Sequence, residues 1–274
     1  MLIPRPNVLH VPRPMFAAHV PLGAPDLSVV VPVHDERDNI APLVHEIATA
    51  LDGAVPFEMI VVDDGSTDGT ADVLRDLQAG QPLLRVIRHE RSAGQSTAIR
   101  TGVLAARGRW IATLDGDGQN DPHDIPALLT TACLLAAERG DDRVLIAGWR
   151  TRRRDSRMTR WQSQVANAVR ARVLGDRTPD SGCGLKVYAR ATFVTLPYFD
   201  HMHRFMPALV RREGGDVVSV PVNHRPRARG RSHYGVTNRL WSGLVDLAGV
   251  MWLTRRATTL RSSEVGRPRS TPPS

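Results

Sequence analysis

Trp110-Ile-Ala-Thr-Leu-Asp-Gly-Asp-Gly-Gln119 ends a short apolar run in two carboxylates, Asp115 and Asp117, spaced D-x-D, with Gln119 just beyond. A run this short, apolar and closed by glycines reads as a buried parallel strand. In an open α/β sheet, ligands bind at the carboxyl ends of the strands. Gly116 lets the backbone turn sharply between the two acids, so both can face one cation. Hard oxygen ligands of this kind suit Mg2+ or Mn2+, which also take diphosphate oxygens and water. A D-x-D on its own also makes a turn or a helix cap, so the surrounding chain has to decide.

Upstream, Leu27–Val33 (LSVVVPV) is a first apolar strand, followed by His34-Asp35-Glu36-Arg37-Asp38-Asn39 and by helical spacing from Ile40 to Leu51. Phe57–Val62 is a second strand, closing in Asp63-Asp64-Gly65-Ser66-Thr67-Asp68-Gly69-Thr70. The Asp and Thr residues of that loop suit the N-terminus of a helix over Ala71–Leu77. Leu83–Arg88 is a third strand, and Ser92-Ala93-Gly94-Gln95 opens a helix running to Ala106. This alternation predicts an α/β fold: a doubly wound, mostly parallel sheet with helices on both faces and right-handed crossovers. Three strand ends carry acids: Asp35 and Glu36, Asp63 and Asp64, Asp115 and Asp117. On one sheet edge they repel unless a cation or a donor-rich ligand joins them. A nucleotide with a metal ion supplies both. D-D-G-S is also an ordinary turn and cap, which stays open for Asp64 and Ser66; Asp63, directly at the strand end, is the better ligand.

From Ala147 the pattern changes. Gly148-Trp149-Arg150 ends another strand and leads into Arg152, Arg153, Arg154, Arg157 and Arg160, then a helix containing Trp161, Ser163 and Asn167. Asp180-Ser-Gly-Cys-Gly-Leu-Lys-Val-Tyr188 reads as a glycine-bent loop carrying a positive charge. Val217–Val222 is a late strand before Asn223-His-Arg-Pro-Arg-Ala-Arg-Gly-Arg-Ser-His-Tyr234. The second half thus brings cations to an edge where the first half brings anions. That polarity fits a metal-bound nucleotide beside a phosphate-bearing second substrate. The run Arg152–Arg154 reads equally well as a solvated face.

With 274 residues, 42% of them hydrophobic, the chain can fill one large α/β core. Its net charge of +8 fits an anionic partner. Lys186 is the only lysine, so the positive charge is almost all arginine. Two cysteines, Cys133 and Cys183, give neither a disulfide framework nor zinc spacing, as expected of a reducing cytoplasm. Residues 1–26 are proline-rich and read as a disordered arm, and 257–274 as a disordered tail. Residues 27–235 form the expected domain, and 236–256 an amphipathic C-terminal helix. Leu240–Leu253 is too short to span a membrane and is interrupted by Asp246. It suits a membrane surface or a packed core equally well.

Together these segments resemble the family 2 glycosyltransferases of GT-A fold, in their polyprenyl-phosphate, dolichol-phosphate mannosyltransferase-like branch, over about residues 27–235. VVPVHDERDNI resembles the family's P-x-Y-N-E-x-x-N-I, and VVDDGSTDGT its D-D-G-S-x-D-G-T. LDGDGQNDP is similar to D-x-D-x-Q-x-x-P, AGWR to G-S-R, DSGCGLKVY to the D-x-x-S-G-F-R loop, and HRPRARGRSHY to R-x-x-G-x-S-K/R. The resemblance implies that Asp115, Asp117 and Gln119 hold Mg2+ or Mn2+ and the donor diphosphate. It places Pro32, Val33, Glu36, Asp63, Gly94 and Asp115 around the nucleotide. Arg150, Ser163, Lys186, Arg227 and Ser232 would face the acceptor phosphate, the first four alternatively the donor's leaving diphosphate, with Asp117, Arg150, Lys186 and Arg227 closest to the chemistry. Three departures stand out: His34-Asp35 for Tyr-Asn, His233 for the usual Lys, and Cys183 where some relatives carry an acid proposed as a base.

The implied reaction is inverting, metal-dependent transfer of a sugar from a nucleoside diphosphate sugar, UDP- before GDP-, to a polyprenyl phosphate. It would run at the cytoplasmic face of the membrane, with the protein peripheral to that surface or held by a membrane partner. A polysaccharide or other water-soluble acceptor is the main rival, although no Q-x-x-R-W counterpart is clear. A haloacid-dehalogenase-like phosphatase expects its D-x-D on the first strand with Thr after the glycine, against a fourth strand and Gln119 here. A nucleic-acid binder fits the charge but not the 5% aromatics or the acid-lined edge.

Overall fold

The computed structural model describes residues 25–150, 170, 172, 174, 175, 178–226 and 237–256. Residues 1–24 of the expected arm, the tail, the arginine run, Ser163, Arg227 and Ser232 lie outside the described residues. Seven strands form one sheet in the order β3-β2-β1-β4-β6-β5-β7. They are β1 (Leu27–Val33), β2 (Phe57–Asp63), β3 (Leu84–Arg88), β4 (Trp110–Thr113), β5 (Val144–Arg150), β6 (Lys186–Ala189) and β7 (Asp216–Val222). The helices are α1 (Arg37–Leu51), α2 (Thr70–Gly80), α3 (Gln95–Ala105), α4 (Ile125–Arg139), α5 (Arg190–Thr195), α6 (Met206–Arg212) and α7 (Thr237–Arg255).

Strand β1 shows why the sheet forms. Its apolar run is buried on both faces, and neighbours project to opposite sides. Val29, Val31 and Val33 enter a core with Ile40, Leu43 and Ile47 of α1 and Leu128 and Leu129 of α4. Val30 joins Ile60 and Val62 in a second core with Ile99 and Val103 of α3 and the apolar side of α6. The doubly wound arrangement is therefore present, with one core per face. Strands β3, β2, β1 and β4 run parallel.

The sheet departs from the sequence reading in one place. Lys186–Ala189, expected within a loop, is strand β6, antiparallel to both β4 and β5. A four-residue strand opening with lysine carries no local signature; it is extended because β4 and β5 leave their edges to it. The order reverses between β1 and β4, because β1 connects outward to β2 whereas β4 is reached from β3. Such a reversal opens a crevice at the carboxyl ends of the strands, and β4 ends there in the D-x-D.

Helix α7 packs Leu247, Val250 and Leu253 against the second core. On its other side Val245 and Trp252 are 57% and 59% exposed, and the guanidinium of Arg256 lies 5.4 Å from the Trp252 ring centroid. Among the described residues no helix is long and apolar enough to cross a membrane.

Candidate active site

The crevice collects the expected acids, but each has its own surroundings. Asp115 is partly buried, and its Oδ1 accepts a hydrogen bond from Gln95 Nε2 at 2.8 Å. Its backbone N–H donates to Asn120 Oδ1 at 3.3 Å. Burial, then the charge of Asp117, pushes its pKa up to about 6, against the opposing pull of Lys186 and Arg150. Asp117 Oδ1 accepts from the Gln119 N–H at 3.1 Å, which folds the loop back on itself. The sharp turn belongs to Gly118, at φ 72°, and not to Gly116. Gly116 is required for room: a Cβ there would sit 2.6 Å from Val33 Cγ1.

Lys186 is buried beside this pair and donates from Nζ to the Cys183 carbonyl. Burial lowers its pKa, against the opposing pull of neighbouring acidic groups, Asp115 and Asp180 among them. A small recess beneath Asp115 is lined by Pro32, Gln95, Lys186 and His203. His203 sits there as a neutral ring, its pKa driven well below the usual range by burial and then by the charge of Arg204. The Ser96 hydroxyl accepts from the His203 backbone N–H at 3.3 Å and is hydrogen-bonded to the ring Nδ1 at 2.7 Å. No sequence pattern singled out Gln95 or His203, because each acts through residues far away in the chain.

At the end of β2 the two aspartates divide the work. Asp64 is saturated: His89 Nδ1 donates at 2.7 Å, Ser92 Oγ at 2.8 Å, Ala93 N at 2.9 Å and Gly94 N at 2.8 Å. Burial opposes its ionisation, yet these donors hold its pKa below the ordinary carboxylate range. It ties β2 to the loop opening α3, and Gly94 serves that tie. Asp63 is fully buried; its Oδ1 accepts from Ser66 N at 2.9 Å. Its Oδ2 has no hydrogen-bond donor among the described residues. Arg88 Nε stands 3.4 Å away, at ion-pair distance, and Arg88 Nη2 donates to the Ser66 carbonyl at 3.2 Å. Pro32 and Val33 end β1 alongside. Glu36 starts α1, where its Oε2 accepts from Asn39 Nδ2 at 2.6 Å.

Arg150, expected to face a phosphate, makes a two-pronged pair with buried Asp180: Nε to Oδ2 at 2.6 Å and Nη2 to Oδ1 at 2.8 Å. Its charge is thereby committed to holding the 180–184 loop against β5. Cys183 is buried, and burial raises its thiol pKa, so at neutral pH it stays a thiol and not a base. Gln119 and Asn120 pair with the segment after β7: Arg225 N donates to the Gln119 carbonyl at 2.9 Å, and Asn120 forms a bridge with His224.

The carboxylates of Asp115 and Asp117 are the donor set a hard divalent cation takes. Burial and then the Asp117 charge disfavour the ionised Asp115 carboxylate, and a bound cation offsets both. By contrast, in the group Glu46, Asp121 and His123, whose ligand atoms lie within 4.8 Å of one another, the two carboxylates are already bridged by the Arg225 guanidinium.

The family model of glycosyl transferase family 2 matches residues 28–196, which run from β1 through the crevice to the end of α5. The chain belongs to glycosyl transferase family 2. A dodecaprenyl-phosphate galacturonate synthase of Rhizobium johnstonii is 36% identical over 89% of this chain and 71% of its own length. An undecaprenyl-phosphate 4-deoxy-4-formamido-L-arabinose transferase of Pseudomonas fluorescens is 34% identical over 83% of this chain and 65% of its own. The chain thus spans about two thirds of the length of these curated relatives. Among solved structures, the mannosyl-3-phosphoglycerate synthase of Rubrobacter xylanophilus aligns at TM-score 0.62 with 19% identity, covering 90% of this chain and 79% of that one. Mannosyltransferase PcManGT of Pyrobaculum calidifontis, in complex with GDP-Man and Mn2+, aligns at TM-score 0.59 with 21% identity, over 90% of this chain and 69% of that one. At these identities the structures establish the shared GT-A fold. As a family 2 member this protein is a glycosyltransferase, and the phosphatase and nucleic-acid readings fall away.

Proposed function

We propose that this chain transfers a sugar from a nucleoside diphosphate sugar to a polyprenyl phosphate, with inversion at the anomeric carbon. The observation that carries the reading is the shared sheet edge: the Asp115–Asp117 pair at the end of β4, and at the end of β2 Asp63 Oδ2, which has no hydrogen-bond donor among the described residues. One end is built for a metal-bound diphosphate and the other for a base. The curated relatives named above act on polyprenyl phosphates, and this supports the lipid acceptor over a polysaccharide.

A uracil base suits Asp63 better than guanine. Oδ1 is taken by the Ser66 N–H, and Oδ2 is the oxygen without a hydrogen-bond donor among the described residues, which matches the single N3–H donor of uracil; guanine presents two adjacent donors, N1–H and N2–H, to a carboxylate. Arg88, paired in register with Asp63 across β2 and β3, supplies a donor for the neighbouring carbonyl.

Asp115 and Asp117, with the Gln119 side chain, would hold Mg2+ or Mn2+, which when bound neutralises charge on the departing diphosphate. The chain's own groups do the rest. Gln95 fixes the Asp115 carboxylate, and Lys186 lends positive charge from below. In the reaction the acceptor phosphate oxygen bonds to the anomeric carbon while the bond to the diphosphate oxygen breaks, and the electron pair leaves with the nucleoside diphosphate. A phosphate monoester is already anionic at neutral pH, so no strong base is needed and a thiol at Cys183 is tolerated. Arg227, Ser163 and Ser232 remain the expected acceptor contacts. Exposed Trp252 and Val245, with Arg255 and Arg256 nearby, support a peripheral seat on the cytoplasmic leaflet.

The test is to incubate the protein with Mn2+, undecaprenyl phosphate and a panel of radiolabelled UDP- and GDP-sugars, then count label extracted into organic solvent. Lipid-phase label from a UDP-sugar is expected. Label moving only to a water-soluble product would favour the other acceptor class.

A further inference from the structure

The segment following β7 is zipped to the loop that carries the D-x-D, and the fastener is Arg225, two residues ahead of the arginine that opens the R-x-x-G-x-S-like pattern. Arg225 N donates to the Gln119 carbonyl at 2.9 Å, and Gln119 Nε2 donates back to the Arg225 carbonyl at 3.3 Å. The Arg225 guanidinium reaches Glu46 on α1, with Nη1 at 2.7 Å from Oε1 and 2.8 Å from Oε2. Its Nη2 lies 2.7 Å from Asp121 Oδ1. Next to it, Asn223 N donates to Asp124 Oδ2 at 2.7 Å.

We propose that Arg225 is a positioning residue for the metal-binding loop, holding Gln119 and Asp121 in one arrangement between α1 and the segment after β7. The proposal rests on the functional reading above. The chemistry of the contacts supports it. A backbone carbonyl can only accept, so the Gln119 amide must turn its NH2 toward Arg225. That leaves Oε1, the ligand type Mg2+ and Mn2+ take, outside this bond. The guanidinium answers three carboxylate oxygens from two elements, a planar bridging geometry that an ammonium cannot reproduce. A mere charge sink would need no backbone pairing with Gln119; here side chain and backbone of one residue fix both sides of the loop.

The experiment is a Mn2+ titration by electron paramagnetic resonance on the full chain with UDP present, comparing wild type, Arg225→Met, Arg225→Lys, Glu46→Gln and Asp117→Ala. Loss of an outer-sphere support commonly weakens metal binding about 10–100-fold, and Arg225→Met is expected in that range. Arg225→Lys should recover part of the affinity and Glu46→Gln should lose a smaller factor, with circular dichroism unchanged. Wild-type Mn2+ affinity in folded Arg225→Met and Glu46→Gln, with Asp117→Ala binding lost, would overturn the positioning role alone. Wild-type affinity in Asp117→Ala would overturn the metal site itself and this inference with it. If Arg225→Met does not fold, Glu46→Gln decides.

Discussion

Gly184 presses its bare Cα against the Asp115 carboxylate, so that a Cβ at this position would lie 2.3 Å from Oδ2 and 2.5 Å from Oδ1. The β4 acid is therefore positioned by the absence of a side chain in the loop leading to β6. Gly184→Ala should push the carboxylate off its place, costing about 1–3 kcal/mol of stability as an overpacked site. Transfer activity and Mn2+ affinity should both fall at least about tenfold, since displaced geometry at a metal ligand is felt directly. Urea unfolding and metal titration on one preparation check both effects.

Metal binding should be pH-dependent in a direction set by Asp115. Its pKa of about 6 in the metal-free protein means a proton competes with the cation at mildly acidic pH. Below that value the apparent Mn2+ affinity should drop by up to about tenfold per pH unit. Calorimetric titrations between pH 5 and pH 8 read this out.

The same shift has a stability sign. Asp115 binds its proton more tightly in the native state than in the unfolded chain, so native protein holds more protons between the ordinary aspartate pKa and about 6. Its contribution to metal-free stability therefore falls as pH rises through that window. Asp115→Asn, which retains an acceptor for Gln95, should raise the Tm of the metal-free protein at pH 7.5 while abolishing transfer. This exchange of stability for a charged site is common in active centres.

Asp64 should behave in the opposite way. Its four donors come from His89, Ser92, Ala93 and Gly94, and Asp64→Ala leaves all four without their acceptor. A loss on the order of 3 kcal/mol is expected, seen as a lower urea midpoint. Because the Asp64 pKa is depressed, its contribution is present above the unfolded aspartate value and is lost as pH falls through the folded one.

The strands that carry the site were legible because parallel strands buried on both faces read as continuous apolar runs, as LSVVVPV does. The acids at their ends were legible because a strand end is a local feature. The rest depended on contacts between distant segments. Whether Asp63 or Asp64 faces a ligand is decided by the Ser92–Gly94 loop, which saturates Asp64. Arg150 meets Asp180 thirty positions away, and Arg225 joins residues 46 and 121. Strand β6 is extended only because β4 and β5 flank it. Periodicity and motif spacing carry no trace of such pairings.

The most direct test of the central claim compares wild type with Asp117→Ala, each incubated with Mn2+, a UDP-sugar and undecaprenyl phosphate, by mass spectrometry of the lipid extract. The account predicts a hexosyl or related glycosyl phosphate lipid from the wild type. From a folded Asp117→Ala it predicts a yield at least about a hundredfold lower, the scale of losing one stabilising group for developing charge. Equal yields from the two proteins would contradict it.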